Sequence, residues 1–387
     1  MSSLSLVGGR AEPGFETCFD AFRSNFEGDG ELGAACAIYR NGQLVLDAWG
    51  GTARSTSASP WRPDTCVPVF SVTKGVAALG VLSQVQAGRL ELDKPVADFW
   101  PEFGVFGKER VTVRQALAHQ AGVPVVSGSV TIDDLKDPAW MSARLAAEPP
   151  LFPPAQAHLY HAVTIGWITS ELVRRSAGVS MGQWLRETLG GPHGLNLVIG
   201  RREGELSSIA EVEVPDQYDT PELDPELIPA RAIGLNGLIT PRLSGLAKAL
   251  NSPEMQAVEL AGANGIADAR SLAKLYSLTL DGVAGLPSPE LIADASIPVS
   301  WGDQLGGLPG PSWGAGLMTP WAVQPMLGDG SFGHDGAGGG LAFGHAPSGV
   351  SFAYVRNRMG PPGIADPLVY KVVGALADRL GITIPIF

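Results

Sequence analysis

The chain is poor in cysteine and in charge, and it has no long apolar run. Only three cysteines occur in 387 residues: Cys18, Cys36 and Cys66. An odd, sparse set excludes a disulfide framework. None belongs to a C-x-x-C, which argues against zinc or thiol redox chemistry. Cys36 lies in an apolar stretch and reads as a small core residue. Charged residues make up 17% of the chain, and 39 acidic against 27 basic side chains leave a net charge of -12. That balance argues against a nucleic-acid surface and offers no basic patch for anionic lipid. No run approaches the roughly 18 apolar residues that a membrane span requires. The opening stretch "MSSLSLVGGRAEPGF" has no basic region leading into an apolar segment, so no signal peptide is expected and the location is expected to be cytoplasmic.

Against these absences stands a hydrophobic content of 45%, enough for a large core. Such a composition suits a protein acting on a small neutral or apolar molecule. "FETCFDAFRSNF" has helical period. "LGAACAIYRNGQLVLDAWGG" carries two apolar runs around Asn41-Gly42, the strongest short hairpin signal. A Pro-rich loop, "SPWRPDTCVPVF", leads into Ser71, after which Val76, Leu79 and Leu82 predict a helix to about Gly88. From about Leu90 to Pro298, short helices such as "TVRQALAHQ" and "HAVTIGWITSELVRRSAG" alternate with Pro/Gly loops. "DQYDTPELDPELIPARAIG" reads as one such loop. "GGLAFGHAPSGVSFAYVRN" predicts a second hairpin around Ala346-Pro347-Ser348-Gly349. "DPLVYKVVGALADRLG" predicts a closing amphipathic helix stopped at Gly381. The expected organisation is an α/β sandwich built from residues 1–89 and 299–387, a mostly helical domain from 90–298, and a small-molecule cleft between them.

Three serines compete for a chemical role. Ser180 sits in a Gly-x-Ser-x-Gly, "GVSMG", but helix-period sequence precedes it where a nucleophile elbow needs a strand. Ser180 and Gln183 instead form the capping-box pattern that opens the next helix. Ser271 and Lys274 form a Ser-x-x-Lys, yet Asp268 is the natural N-cap there and Ser271 falls in the first turn of an ordinary helix. Ser71 comes directly off a loop and opens a helix, where unpaired N–H groups and the dipole favour developing negative charge. Lys74, three residues on, lies on the same helical face. A lysine discharged by burial can serve as a base near neutral pH. Two further segments add to this: Tyr160 at the end of a Pro-containing loop, and His334-Asp335-Gly336 followed by more glycines and a strand. Glycines let backbone approach a substrate closely, and free strand N–H groups can build an oxyanion hole.

The succession Ser71-Val72-Thr73-Lys74, Tyr160 and His334-Asp335-Gly336-Ala337 resembles the three-motif set of the serine β-lactamase and penicillin-binding-protein superfamily. It is most similar to the class C β-lactamases and the family VIII carboxylesterases, over nearly the whole chain. The resemblance implies a β-lactamase-like α/β (α+β) fold, with an antiparallel sheet flanked by helices and a mostly helical second domain. It implies Ser71 as the acylated nucleophile, Lys74 and Tyr160 as the pair that activates it and moves its proton, and the backbone N–H groups of Ser71 and Ala337 as the oxyanion hole. No cofactor or metal is implied. Esterases of this family often carry a Gly-x-Ser-x-Gly that is not catalytic.

Two departures bear on the substrate. Tyr160-His161-Ala162 stands where the family has Tyr-x-Asn, and His334-Asp335-Gly336 where it has Lys-Thr-Gly. The amide that holds an acyl side chain and the lysine that meets a β-lactam's carboxylate are both missing. The expected activity is therefore a serine carboxylesterase acting on short-chain neutral esters, with a small-molecule ester as its only partner and the oligomeric state open. His334, Asp335, Gly336, His161 and Trp313 are the residues expected near the substrate. The alternatives are a β-lactamase, a D-amino-acid peptidase or an acyltransferase on the same scaffold, and, in a different class, a non-catalytic binding module. His158 and His161, three apart, lack a carboxylate at metal-ligand spacing, and His119 is expected to make a structural hydrogen bond at its turn.

Overall fold

The computed structural model describes residues 7–28, 30–57, 59–219, 221–363 and 365–384. The start of the N-terminal stretch read above, residues 1–6, lies outside them. Among the described residues, ten strands form one antiparallel sheet. Nine of them lie on its main path: β1 (Val7–Ala11), β2 (Gly33–Arg40), β3 (Gln43–Arg54), β4 (Ser300–Asp303), β5 (Pro309–Trp313), β6 (Met318–Thr319), β7 (Ser331–Asp335), β8 (Leu341–His345) and β9 (Val350–Arg356). Their spatial order is β1-β3-β2-β9-β8-β7-β6-β5-β4. The two ends of the chain thus meet in the middle of the sheet, where Ala34–Arg40 pair with Val350–Arg356.

Both predicted hairpins form. Asn41 and Gly42 have φ of 49° and 76°, the two positive values that a tight primed turn requires and that Asn-Gly tolerates. In β2 the side chains alternate between two cores. Ala34, Cys36 and Ile38 join one cluster with Phe22, Phe352 and Leu376, while Ala35 and Ala37 join the other with Val76 and Leu272. That is the two-residue period of a strand buried on both faces. One face is covered by α1 (Glu16–Ser24) and the closing helix (Pro367–Leu380). The other receives the helix Ala269–Leu280, which comes from the middle of the chain and packs on β2, β8 and β9. The alanines on that face leave room for close approach, and Ser351 Oγ donates to the Ala273 carbonyl at 2.7 Å.

The serine helix, α2 (Val72–Gln86), is buried nearly all round, so tertiary packing rather than an amphipathic stripe defines it. The remaining expected helices appear as Val113–Leu117 and Ile165–Ala177, the latter stopped by left-handed Gly178. The closing helix ends at left-handed Gly381 as read. The segment read as an irregular loop contains a helix, Ile228–Gly234, with Pro229 in its first turn, a position where proline fits because its missing N–H is not needed. Among the described residues, no helix is long and apolar enough to cross a membrane.

A buried charge cluster joins the two chain ends. Arg356 Nε lies 3.0 Å from Glu31 Oε2, and its guanidinium also bonds the Asp366 carboxylate. Tyr354 Oη donates to Glu31 at 2.9 Å. One cation faces two carboxylates. Burial, with the Asp366 charge adding to it, raises the Glu31 pKa to about 7 against the pull of Arg356. Between pH ~4.5 and ~7 the folded state therefore holds a proton that the unfolded chain has lost, so this group's contribution to stability falls as pH rises through that window. Arg356→Ala strands two buried carboxylates and is expected to lower the unfolding free energy by about 3–5 kcal/mol. Glu31→Gln is expected to keep the stability near pH 7 and to flatten that pH dependence. Urea titrations of both variants at pH 5 and pH 8 check this; an Arg356→Ala protein as stable as the parent would contradict it.

Candidate active site

Phe70, the residue before Ser71, has φ of 50°. A buried phenylalanine in that left-handed conformation is strained, and such strain persists only where surrounding contacts enforce it. Those contacts are present. Val69 N–H donates to Gly265 O at 2.9 Å, and Gly265 N–H donates to Thr73 Oγ1 at 2.8 Å. β7 presses on the same turn: a Cβ at Gly336 would lie 2.5 Å from Val69 O, so only glycine lets this strand end reach the serine. Ser71 becomes the N-terminal flanking residue of α2.

Two groups converge at the Ser71 hydroxyl. Lys74 Nζ lies 3.0 Å from Ser71 Oγ and donates to the Gly262 carbonyl at 2.6 Å. Tyr160 Oη donates to Ser71 Oγ at 3.0 Å. Lys74 also sits over the Tyr160 ring, 4.7 Å from its centroid. Lys74 is only 4% exposed, and burial lowers its pKa to about 7, the nearby Asp335 charge opposing the shift. Burial pushes the Tyr160 phenol well above its ordinary range, with Asp335 adding to the rise and the Ser71 hydrogen bond opposing it. Lys74 is thus close to half discharged at neutral pH while Tyr160 stays protonated. Among the described residues the amides of Ser71 and Ala337 donate to no protein carbonyl, and both residues line a cavity of about 290 Å³.

The walls of that cavity are largely apolar, including Leu243, Met318, Trp321, Val323 and Tyr370. His334, Asp335 and Gly336 line it as well. His334 Nδ1 approaches its neighbour's Oδ1 at 3.3 Å, and its Nε2 is buried with no protein partner. Asp335 accepts from Gln324 Nε2 at 3.1 Å. Burial pushes its carboxyl upward, but the hydrogen bond and positive potential of His334 outweigh this and hold its pKa below the usual value. Asp335 is therefore a carboxylate on the cavity lining, with His334 beside it.

Two expected substrate contacts are corrected. His161 is fully buried and does not line the cavity. It accepts from Val123 N–H through Nε2 at 3.1 Å, its Nδ1 meets Leu159 O at 2.6 Å, and its amide donates to His119 Nδ1 at 3.1 Å. It is a brace for the Tyr160 loop; burial holds its pKa near 4, so the ring stays neutral. Trp313 is likewise fully buried, stacked on the Tyr160 ring at 5.5 Å with an interplanar angle of 6°. Trp321 is the tryptophan on the cavity wall. Sequence reading did not single out Gly262, Gln324 or Gln304; the close glycines of "AGANG" were the only local signal, since glycine often marks backbone approach.

The rival serines have ordinary partners. Ser180 accepts from Gln183 N–H at 3.2 Å and donates to Glu259 at 2.7 Å. The Gln183 side chain turns to Glu187 instead of closing the capping box. Ser271 N–H donates to the Asp268 cap at 2.7 Å, and Lys274 Nζ donates to His193 O.

A serine hydroxyl bonded by a buried lysine and a partly buried tyrosine, beside two free amides in a helix-flanked antiparallel architecture, defines a serine hydrolase of β-lactamase-like fold. Accordingly, the Beta-lactamase family model matches residues 21–375, and the chain belongs to that family. It is 32% identical to the "Esterase/beta-lactamase LipL" of Mycobacterium tuberculosis over 92% of this chain and 84% of that protein. Among solved structures it is similar to a family VIII carboxylesterase, with 31% identity, a TM-score of 0.86 and coverage of 96% and 99% of the two chains. A penicillin-binding-protein homologue from Caulobacter crescentus is 36% identical, with a TM-score of 0.85 over 96% and 99%.

Proposed function

We propose that the protein is a cytoplasmic serine carboxylesterase that cleaves short-chain, uncharged carboxylic esters through an acyl-Ser71 intermediate. The observation that carries this reading is the pair of 3.0 Å contacts that Lys74 Nζ and Tyr160 Oη make to one hydroxyl oxygen on a mostly apolar wall. Neutral Lys74 accepts the Ser71 proton as Oγ attacks the ester carbon. The carbonyl oxygen, now anionic, meets the free amides of Ser71 and Ala337. The proton passes from Lys74 through Tyr160 to the departing alcohol oxygen, and the ester C–O bond breaks. Water then attacks the acyl carbon, giving its proton back along the same path, and the carboxylic acid leaves as Ser71 is restored.

The relatives' names include both esterase and β-lactamase, so the second reading is β-lactam hydrolysis. The Asp335 carboxylate on the cavity lining opposes it. A β-lactam brings its own carboxylate, and juxtaposed like charges cost several kcal/mol. Ala162 also stands where an amide would hold a β-lactam's acyl side chain. We therefore expect kcat/KM for p-nitrophenyl acetate or butyrate to exceed that for a chromogenic cephalosporin by at least about 100-fold, or ~2.7 kcal/mol. A cephalosporin turned over as well as either ester would overturn the assignment.

A further inference from the structure

The hairpin formed by β4 and β5 holds Tyr160 from outside the cavity. The segment His158–Tyr160 is gripped as a strand would be, on alternate sides. Leu159 N–H donates to His119 O at 3.2 Å on one side. On the other, the His158 carbonyl accepts from Leu305 N–H at 3.0 Å, and Tyr160 N–H donates to the side-chain oxygen of Gln304 at 2.8 Å. The Gln304 amide oxygen thus takes the place of a backbone carbonyl next to Leu305. From the end of the same hairpin, Trp313 supports the face of the Tyr160 ring.

The hairpin is shaped for this contact. A Cβ at Gly310 would lie 2.5 Å from Gln304 Cγ, so glycine at this point of the facing strand leaves room for the Gln304 side chain to fold inward. The tip turns through Gly306 and Gly307, both with positive φ. Its neighbours Trp301, Leu305 and Leu308 are exposed, so little core packing fixes this strip. Gln304 is the polar side chain that ties the hairpin to the residue carrying the phenol.

We propose that Gln304 is the positioning residue for Tyr160: it fixes the backbone at Tyr160 and thereby sets the phenol on Ser71 Oγ. This rests on the role given to Tyr160 above. Gln304 touches no reacting atom, so its loss should lower kcat and leave KM nearly unchanged, because the cavity walls are untouched. Misplacement of a catalytic group by about 1 Å can cost on the order of 100-fold. Gln304→Met, which keeps length and removes the acceptor, should lower kcat for p-nitrophenyl butyrate about 10- to 100-fold. Gln304→Glu, which keeps an acceptor at the same reach, should restore most of it. In a Tyr160→Phe background, Gln304→Met should have no further effect on kcat, since coupled residues are not additive.

The outcomes separate cleanly. If Tyr160→Phe is inactive while Gln304→Met matches the parent, the positioning role is wrong and the esterase mechanism stands. If Tyr160→Phe keeps full activity, the mechanism itself is wrong. Equal losses in Gln304→Met and Gln304→Glu, or full additivity with Tyr160→Phe, would mean that Gln304 merely stabilises the hairpin, and would also overturn the proposal.

Discussion

Ser71→Ala is expected to abolish ester turnover, with a loss in kcat on the order of 10⁴- to 10⁶-fold, typical of a nucleophile that works as part of a unit. The fold should survive, because the hydroxyl's partners are Lys74 and Tyr160 rather than a structural acceptor. Lys74→Ala should resemble it in rate, since Lys74 is the group placed to accept the proton. Ser180→Ala is the informative control. Its hydroxyl caps a helix and bonds Glu259, so its loss should lower stability by about 1 kcal/mol and leave activity near the parent's. Ser271→Ala should also leave turnover intact. A fluorophosphonate probe followed by peptide mapping should label Ser71. An inactive Ser180→Ala beside an active Ser71→Ala would show that the Gly-x-Ser-x-Gly is a true elbow, and the assignment would fail.

The second large effect is on pH dependence. Burial brings Lys74 to about 7, and the mechanism uses its neutral form. Activity should therefore rise from acid to mildly alkaline pH, with the midpoint of kcat/KM near 7. Asp335 opposes this shift by favouring the charged lysine. Asp335→Asn removes that opposition and should move the midpoint to lower pH. A carboxylate base would put the midpoint near ~4; such a profile, or an Asp335→Asn shift to higher pH, would contradict Lys74 as the base. Tyr160, pushed upward by burial, supplies no titration in this range.

What the sequence reveals here is what local chemistry decides. Ser71 and Lys74 share a helical face by spacing, Asn41-Gly42 closes a turn with its own backbone, and the Asp268 and Ser180 caps act within three residues. Their positions follow from rules that operate over a few residues. The rest of the site depends on contacts far apart along the chain. The Gly262 carbonyl that holds Lys74 is 188 residues away from it in sequence, and a carbonyl has no sequence signature. Trp313 and Trp321 both sit near the third motif, but only strand pairing decides which is stacked under Tyr160 and which faces the cavity. By sequence His161 adjoins Tyr160 and so suggests a cleft residue; its side chain points instead to Val123 and the interior. The helix Ile228–Gly234 is not legible in the sequence because prolines and acidic residues around it mask its period.

The pairing of β2 with β9 also has a kinetic consequence. One edge of β2 is taken early by β3, but residues 34–40 find the partner for the other edge only at 350–356, so the sheet cannot close until nearly the whole chain is available. Contacts this distant slow folding. A chain still being synthesised would carry α2 and its serine early, yet lack β7, which supplies Asp335 and leads into Ala337. Until β9 arrives, the apolar strand Gly33–Arg40 remains an open edge able to pair with other chains. Esterase activity should thus be among the last properties to emerge during refolding, after most helices have formed, and chaperone dependence should centre on that open edge.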